Sequence, residues 1–532
     1  MSRYSTAAGA GPQAAAGWQI SHLAPPSGLF GANGMQFGPD GKLYCVQAFG
    51  SQVSAIDTAT GVCQTVSPVG GPIIAPDDLA FDSRGVMYVT EVMSARVSAR
   101  TADGQTRVIA DNVPAANGIT CYQDRLFMDE CRPGGRLFEL YPDGRAPRLL
   151  ADNLPLPNAL SVGPDGQLYF PEIAAGEIWR VPLSGGAPQR FLSGLAVPTA
   201  VKFDRKGLLT TTQAGSGEIA KFDLQSGAKT VIAKVRPGID NFAIDASNRL
   251  FISHFVDGGV AEILSDGQER VLVPAGFLGP LGLALGGDGV LYAGDGLSLA
   301  AIAPDGRRHR PGMLLDEGFP GFVRGLAAGP GGSLYVTTSA GSVVSYHPGT
   351  RAAQTFAAGL QELLGVACAP DGSAIVAEAG AGRVLKVNTK GEITTLASGL
   401  GRPAGVVVAD NGSCYVSEES KGRVVHINGG ASTVLDGLDK PQGLALSGGQ
   451  LFVLDVGRKE LVAFSLATKQ RQTLATNLPV GAPPGVTPKP LMGVPDLIPG
   501  PLSPFAGVAV SGSGTVYIAG DSEGSILVLR RS

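Results

Sequence analysis

Charge is scarce in this chain. Of its 532 residues only 16% are Asp, Glu, Lys or Arg, and the net charge of −4 comes without any run of basic side chains. A nucleic-acid partner needs such a run to displace counterions from phosphates, so that class is excluded. Membrane binding has no support, and no stretch sustains the 3.6-residue apolar spacing of a long helix. The segment 1–16, MSRYSTAAGAGPQAAA, lacks the continuous apolar core of a secretory signal and reads as a disordered tail on a cytoplasmic protein. Cys45, Cys63, Cys121, Cys131, Cys368 and Cys414 form no CxxC pair and no zinc-type spacing, which fits reduced, mostly buried thiols, with a Cys121–Cys131 disulfide as the alternative. Histidine is rarer still, at five, so the position of each is informative.

What the chain has in abundance is turn residues, 77 Gly and 38 Pro beside 44% hydrophobic residues, a balance suited to many turns joining buried strands. A repeat orders them. Phrases such as GMQFGPDGKLYCVQA, DDLAFDSRGVMYVTE and GVACAPDGSAIVAEA recur twelve times, starting at Gly34, Asp78, Gly118, Ala159, Ala200, Asn241, Gly282, Gly325, Gly365, Gly405, Gly443 and Gly507. Apart from the last step, these starts lie roughly 38 to 44 residues apart, the spacing of four-stranded propeller blades. Each unit reads as a short strand, an Asp-Gly or Asn-Gly turn, a second strand of the LYVTE kind and a further hairpin. Twelve blades in one ring would leave a wide hole, because propellers close with about four to eight. The sequence therefore predicts an all-β fold of two tandem six-bladed β-propellers built from twelve four-stranded blades.

Residues 17–33 look like a lone last strand that closes the first ring, which frees the tract 268–280 to close the second. This places the N-terminal propeller at 17–267 and the C-terminal one at 268–532. The Pro-rich insertion 477–505 interrupts the last step, and its proline bars it from a central strand. It reads as a strap over a ring surface, docked through Leu491, Met492, Val494, Leu497 and Ile498, with a lid over a ligand as the alternative.

In a propeller the residue before the first strand of each blade stands at the channel mouth. In the first ring these residues are Asn33, Asp77, Asn117, Asn158, Thr199 and Asp240; in the second they are Leu281, Arg324, Leu364, Ala404, Gln442 and Ala506. Six oxygen-bearing groups at one mouth are costly to bury unless they bind water, a metal or a ligand. The far end of the antiparallel second strand returns to the same face and carries Gln47, Glu91, Glu130, Glu172, Thr212 and His254, against Asp295, Thr338, Glu378, Glu418, Asp455 and Gly520 in the second ring. Carboxylates in both rings point to architecture, pairing with an Arg on the next strand as in EAGAGRV and EESKGRV. His254 is the only histidine of the set, and an imidazole is the natural proton-transfer group near neutral pH. Cys131 lacks an activating base beside it, and its neighbour Arg132 is the more plausible anion contact.

The PDG-x-LY phrase and the Asn-Gly or Pro-Asn at strand starts resemble the six-bladed calcium-dependent lactonase superfamily of gluconolactonase and senescence marker protein. The resemblance is clear over 17–267 and only generic beyond. It implies a divalent ion on the axis, held by a Glu, an Asn and an Asp, that polarises a lactone carbonyl for attack by water. Asn117 in AANGITCY resembles the substrate-side Asn, and Asn158 in LPNALSVG the metal-binding Asn. Thr199 stands where that family has its metal-binding Asp, and Asn33 where it has its Glu, so Asp77 and Asp240 are the candidates to supply charge. Oxygen-only ligands suit calcium, or magnesium, rather than zinc, and no organic cofactor is implied. The phrase MYVTEV at 87–92 also resembles virginiamycin B lyase, a propeller that opens a cyclic ester by elimination with a metal, His and Glu.

The expected function is a lactonase-like hydrolysis of a small cyclic ester or related activated carbonyl compound in the first propeller, the second being structural. His254 with Glu172, Glu130 or Glu91 would move the proton; Asn117, Asn33, Thr199 and Gln47 would hold substrate; Asn158, Asp240 and Asp77 would hold the cation. The alternatives are a lyase, isomerase or cyclase using the same His and Glu groups, and a propeller scaffold that binds another protein. No oligomeric state is specified.

Overall fold

The computed structural model describes Arg3 and residues 11–532. The chain is all β, and its described residues form twelve sheets of four or five strands and a separate two-stranded hairpin. Six blades span 35–67, 76–111, 116–154, 161–192, 198–234 and 239–273; five more span 283–313, 323–357, 363–397, 403–435 and 441–476, and the last is built on 508–531. Inner strands neighbour one another around each set and return to the first, which closes two six-bladed propellers.

Local chemistry explains each blade. Second strands such as Met87–Glu91, MYVTE, are buried along their whole length, as β-branched and aromatic residues between two stacked sheets should be. Fourth strands such as Lys229–Lys234, KTVIAK, are mostly exposed because they form the outer edge. The PDG turns are Asx turns: Asp40, Asp165 and Asp305 each accept the backbone N–H two residues on, and the intervening Gly41, Gly166 and Gly306 take positive φ.

The closure differs from the sequence expectation. Trp18–Ala24 does not complete the first ring. It pairs antiparallel with Ser525–Arg531, from Trp18 opposite Arg531 to Ala24 opposite Ile526, and supplies the outer strand of the last blade. Glu269–Val273 is instead the fourth strand of the sixth blade, beside Val260–Ile263. All six first-ring blades are thus made of consecutive strands and need nothing borrowed, whereas the last blade, three strands long on its own, would leave a bare edge. One compact unit accordingly holds 28–275 and 486–499, and the other holds the described residues up to Ser27, 276–485 and 500–532, so neither 17 nor 268 is a boundary.

The N-terminal tail is corrected in part. Met1, Ser2 and residues 4–10 lie outside the described residues, but Gln13–Ala14 adds a strand to Arg471–Thr476, and Arg3 is buried, donating to the carbonyls of Phe277, Asp521 and Ser522. All six cysteines are free, so the alternative Cys121–Cys131 disulfide is not formed. Among the described residues no helix is long and apolar enough to cross a membrane.

In the second propeller the six glycines that open the repeats form a collar. A Cβ on Gly282, Gly325, Gly365, Gly405, Gly443 or Gly507 would lie 2.2–2.6 Å from the carbonyl oxygen of Arg324, Leu364, Ala404, Gln442, Ala506 or Leu281 respectively, one blade on each time. The first propeller has Gly34, Asp78, Gly118, Ala159, Ala200 and Asn241 at this phase. Side chains at four of the six positions keep its inner strands from the same approach, and two of them, Asp78 and Asn241, bring polar groups into the channel.

Candidate functional site

Hydroxyls latch neighbouring blades just inside the mouths. Ser253 Oγ donates to Asn33 O (2.7 Å) and Ser417 Oγ to Gln442 O (2.7 Å), while Thr90 and Thr337 do the same to Asn117 O and Leu364 O. In the third blade this place is taken by Asp129, fully buried, which accepts the Gly118 N–H at 3.0 Å. Burial first, then the charges of Asp78, Glu172 and Glu130, push its carboxyl well above the usual range, so Asp129 holds a proton more tightly than a free carboxyl does, at the place where other blades have a hydroxyl.

The first-ring mouth gathers the residues expected there. Asn33 Oδ1 accepts the Ala48 N–H (3.2 Å), and its side chain also bonds Asp240. Asp240 is raised to about 7, by burial first and then by Asp78, against the opposing pull of Asn33 and Lys202. Asp77 is pushed well above the ordinary range by burial, then by the charges of Asp240, Asp78 and Asp129. Below them Asp78 accepts the N–H groups of Leu79 (2.9 Å) and Ile119 (3.3 Å), receives Asn241 Nδ2 at 3.4 Å and titrates at about 6. Asn117 is buried and its Oδ1 has no hydrogen-bond partner. Thr199 Oγ1 pairs with Thr212 Oγ1 (3.2 Å) and lies 3.3 Å from Ile239 O. Asn158 gives its oxygen to the Ala159 N–H (2.6 Å) and turns Nδ2 toward Cys131 Sγ (3.7 Å).

The second mouth is closed. Phe505 packs with Leu364, Ala379 and Ala404, and the fully buried Arg324 donates to the carbonyls of Leu363 and Pro501.

The chain is similar to virginiamycin B lyase from Staphylococcus aureus. The identity is 18%, with 52% of this chain and 95% of that chain covered at a TM-score of 0.39. A gluconolactonase from Xanthomonas campestris matches at 19% identity over 45% of this chain and 87% of its own, with a TM-score of 0.38, and a nidogen/laminin complex at 22% over 37% and 78%, with a TM-score of 0.34. No family model matches the chain, and no curated protein matches it.

At the strand-two ends most side chains serve the framework. Gln47 accepts the Phe30 N–H (2.9 Å) and donates to Ser54 Oγ (2.9 Å), which occupies the amide expected to hold substrate. Glu91 accepts the Ile74 N–H (2.7 Å) and pairs with Arg96 at 2.7 Å; Glu130 pairs with Arg136 at 2.5 Å and with Arg132 at 3.5 Å. Both carboxylates thus have cationic partners, as Glu378 and Glu418 have in Arg383 and Arg423. Arg132 is thereby turned from the expected anion contact into a partner of Glu130. His254 is fully buried at the end of Leu250–His254, its backbone closing the turn with Gly258 and Gly259.

Glu172 differs. The residue opposite it on the next strand is Glu177, where Glu91, Glu378 and Glu418 face an arginine. Its Oε2 accepts the Leu156 N–H (2.7 Å), its Oε1 is buried without a partner, and burial, with the charge of Glu177, raises it to about 7. The signal was in the sequence, as EIAAGEI against EAGAGRV. Cys131 lies among these groups: burial and the charges of Asp129, Asp77, Asp240 and Glu172 push its thiol well up, which leaves it a poor nucleophile.

The Pro-rich insertion divides. Gly493–Val494 pairs with Ile498–Pro499, and the turn presents Leu497 to a cluster of Cys131, Leu156 and Ile173. Val494 and Ile498 are buried and Leu497 is partly so, but Met492, expected to dock, is 59% exposed. Leu497→Asp should loosen this cover, raising the rate at which iodoacetamide alkylates Cys131 by roughly tenfold, since labelling of a buried thiol follows local opening. Peptide mass spectrometry reads the rate, and an unchanged rate would mean that the hairpin does not guard the mouth.

Among the described residues no group of three or more His, Cys, Asp and Glu side chains is arranged to hold a metal ion. Two carboxylates with amide oxygens remain a fitting donor set for a hard cation. The unsatisfied Asn117 Oδ1 and the mutually repelling Asp77 and Asp240 are what such an ion would relieve.

Proposed function

We propose that the first propeller is a lactonase-like hydrolase that opens a cyclic ester or a related activated carbonyl compound at this mouth, with a divalent cation held by Asp77, Asp240 and Asn117. The observation that carries the reading is the gathering of carboxyl groups raised by burial and by one another, Asp77 and Asp240 at the mouth and Asp78 just inside. Such a cluster is costly without a cation or bound protons. Calcium or magnesium suits the oxygen donors and, when bound, supplies polarisation of the substrate carbonyl.

The chain's own groups do the rest. Asn33 holds the Asp240 carboxyl, and Glu172, at about 7, is tuned to take a proton from the attacking water and return it to the ring oxygen. The water oxygen bonds the carbonyl carbon, the ring C–O bond breaks, and the product is a hydroxy acid one water heavier than the substrate. Leu497 and its hairpin lift to admit the substrate.

A panel of lactones and cyclic esters, assayed after chelation and again with calcium or magnesium restored, tests the reading. Turnover is expected with the cation and is expected to fall roughly a hundredfold or more in Asp77→Asn. No turnover on any cyclic ester, or a fully active Asp77→Asn, would overturn it. Product mass separates hydrolysis from elimination, whose product is an isomer of the substrate.

A further inference from the structure

Lys202 lies in the strand Pro198–Phe203 of the fifth blade. Its Nζ donates to Phe242 O (2.5 Å), on the inner strand of the sixth blade, and to Met35 O (2.8 Å), on the inner strand of the first. Met35 and Phe242 lie on two different inner strands, so a side chain that reaches both carbonyls has its head group in the channel, where its charge acts on Asp240 and, from the blade opposite its own, on Asp78. At the same repeat phase the other first-ring strands carry Gln36, Ala80, Thr120, Ser161 and Ala243, none of them cationic.

We infer that the Lys202 ammonium is the built-in cation of the first propeller's channel, a positioning residue that ties the Met35 and Phe242 carbonyls together and lends its charge to Asp240 at the mouth and Asp78 just inside. Main-chain carbonyls with carboxyls nearby are surroundings that suit a hard cation, and an ammonium with three donors can serve both carbonyls at once. A tethered cation is part of the chain, so the inside of this ring does not depend on ion supply. The inference rests on the functional reading only in taking this mouth as the site.

Lys202→Ala leaves the place between those carbonyls open, and Lys202→Met fills it without charge. Each is expected to lower Tm by about 5 °C or more. Propylammonium chloride, and to a lesser degree calcium chloride, at millimolar concentration should restore about half of the loss in Lys202→Ala, beyond the effect of sodium chloride at equal ionic strength. Lys202→Met and the wild type should show no such gain from propylammonium. A wild-type Tm in Lys202→Ala, or a loss that neither cation recovers, would overturn the inference. If Lys202→Ala fails to fold in plain buffer, refolding with and without propylammonium decides in the same way. Lactone turnover by the wild type tests the functional reading separately, because that assay does not involve the variants.

Discussion

Gly325→Ala is expected to lower the Tm of the second propeller by about 10 °C or more, or to prevent its folding, while Gly287→Ala is silent. The new Cβ at Gly325 would lie 2.2 Å from Leu364 O and 2.7 Å from Thr337 Oγ1. Neither can step aside: Thr337 Oγ1 accepts the Gly325 N–H at 2.9 Å and donates to that same Leu364 carbonyl. Moving Leu364 outward displaces the strand that carries Gly365, itself packed on Ala404 O, and so on around a closed ring with no slack. Gly287 has nothing within 4 Å and sits outside the left-handed region, so an alanine there only narrows the unfolded ensemble. Calorimetry and limited proteolysis of both variants check this. A Gly325→Ala protein that melts with the wild type would remove the collar from the stability of the fold.

The chelated wild type is expected to lose stability as pH rises from about 5 to about 8, the reverse of a protein held by exposed ion pairs. Asp77 and Asp129 are raised well above the ordinary range, Asp78 lies at about 6, and Asp240 and Glu172 lie at about 7. A carboxyl whose folded value exceeds its unfolded one binds its proton more tightly in the fold. Its contribution is therefore whole below the ordinary range and is lost as pH climbs through the folded value. Lys202 opposes the loss at Asp78 and Asp240.

Asp240→Asn cannot ionise and is spared that part of the loss. An isolated shift from 3.8 to about 7 corresponds to about 4 kcal/mol; shared among coupled neighbours, about 2 kcal/mol remains, or about 4–8 °C in Tm at pH 8. The gain should shrink to less than about half by pH 5 and vanish only below about pH 4, and excess calcium should flatten the wild-type profile by favouring the ionised carboxylates. Thermal melts between pH 5 and 8 in chelator decide the matter, since a flat profile would mean that these groups are not desolvated.

Much of this was legible in the residues. The period fixed by GPDG and LYVTE phrases demands blades, because each short strand has only one way to bury both faces. The contrast between Asn33, Asp77, Asn117, Asn158, Thr199 and Asp240 at one mouth and Leu281, Arg324, Leu364, Ala404, Gln442 and Ala506 at the other also survives folding. Even the unpaired state of Glu172 was written in Glu177, which stands where an arginine would neutralise it.

Other features belong to tertiary structure alone. Which blade Trp18–Ala24 completes depends on which edge lacks a fourth strand, and alternation along the segment is the same for either edge. Val494, Leu497 and Ile498 marked the insertion as docked, but the apolar groove it enters is made by Cys131, Leu156 and Ile173, brought together from two blades. Lys202, Asp78 and Asn241 sit at ordinary repeat positions and become a single charged group only where the ring closes and opposite blades meet. The sequence by itself determined the number of blades and the chemistry of each mouth, because strand period and side-chain identity are local. Strand closure, the covering hairpin and the cation inside the channel were decided by the fold, because each depends on contacts between residues far apart in the chain.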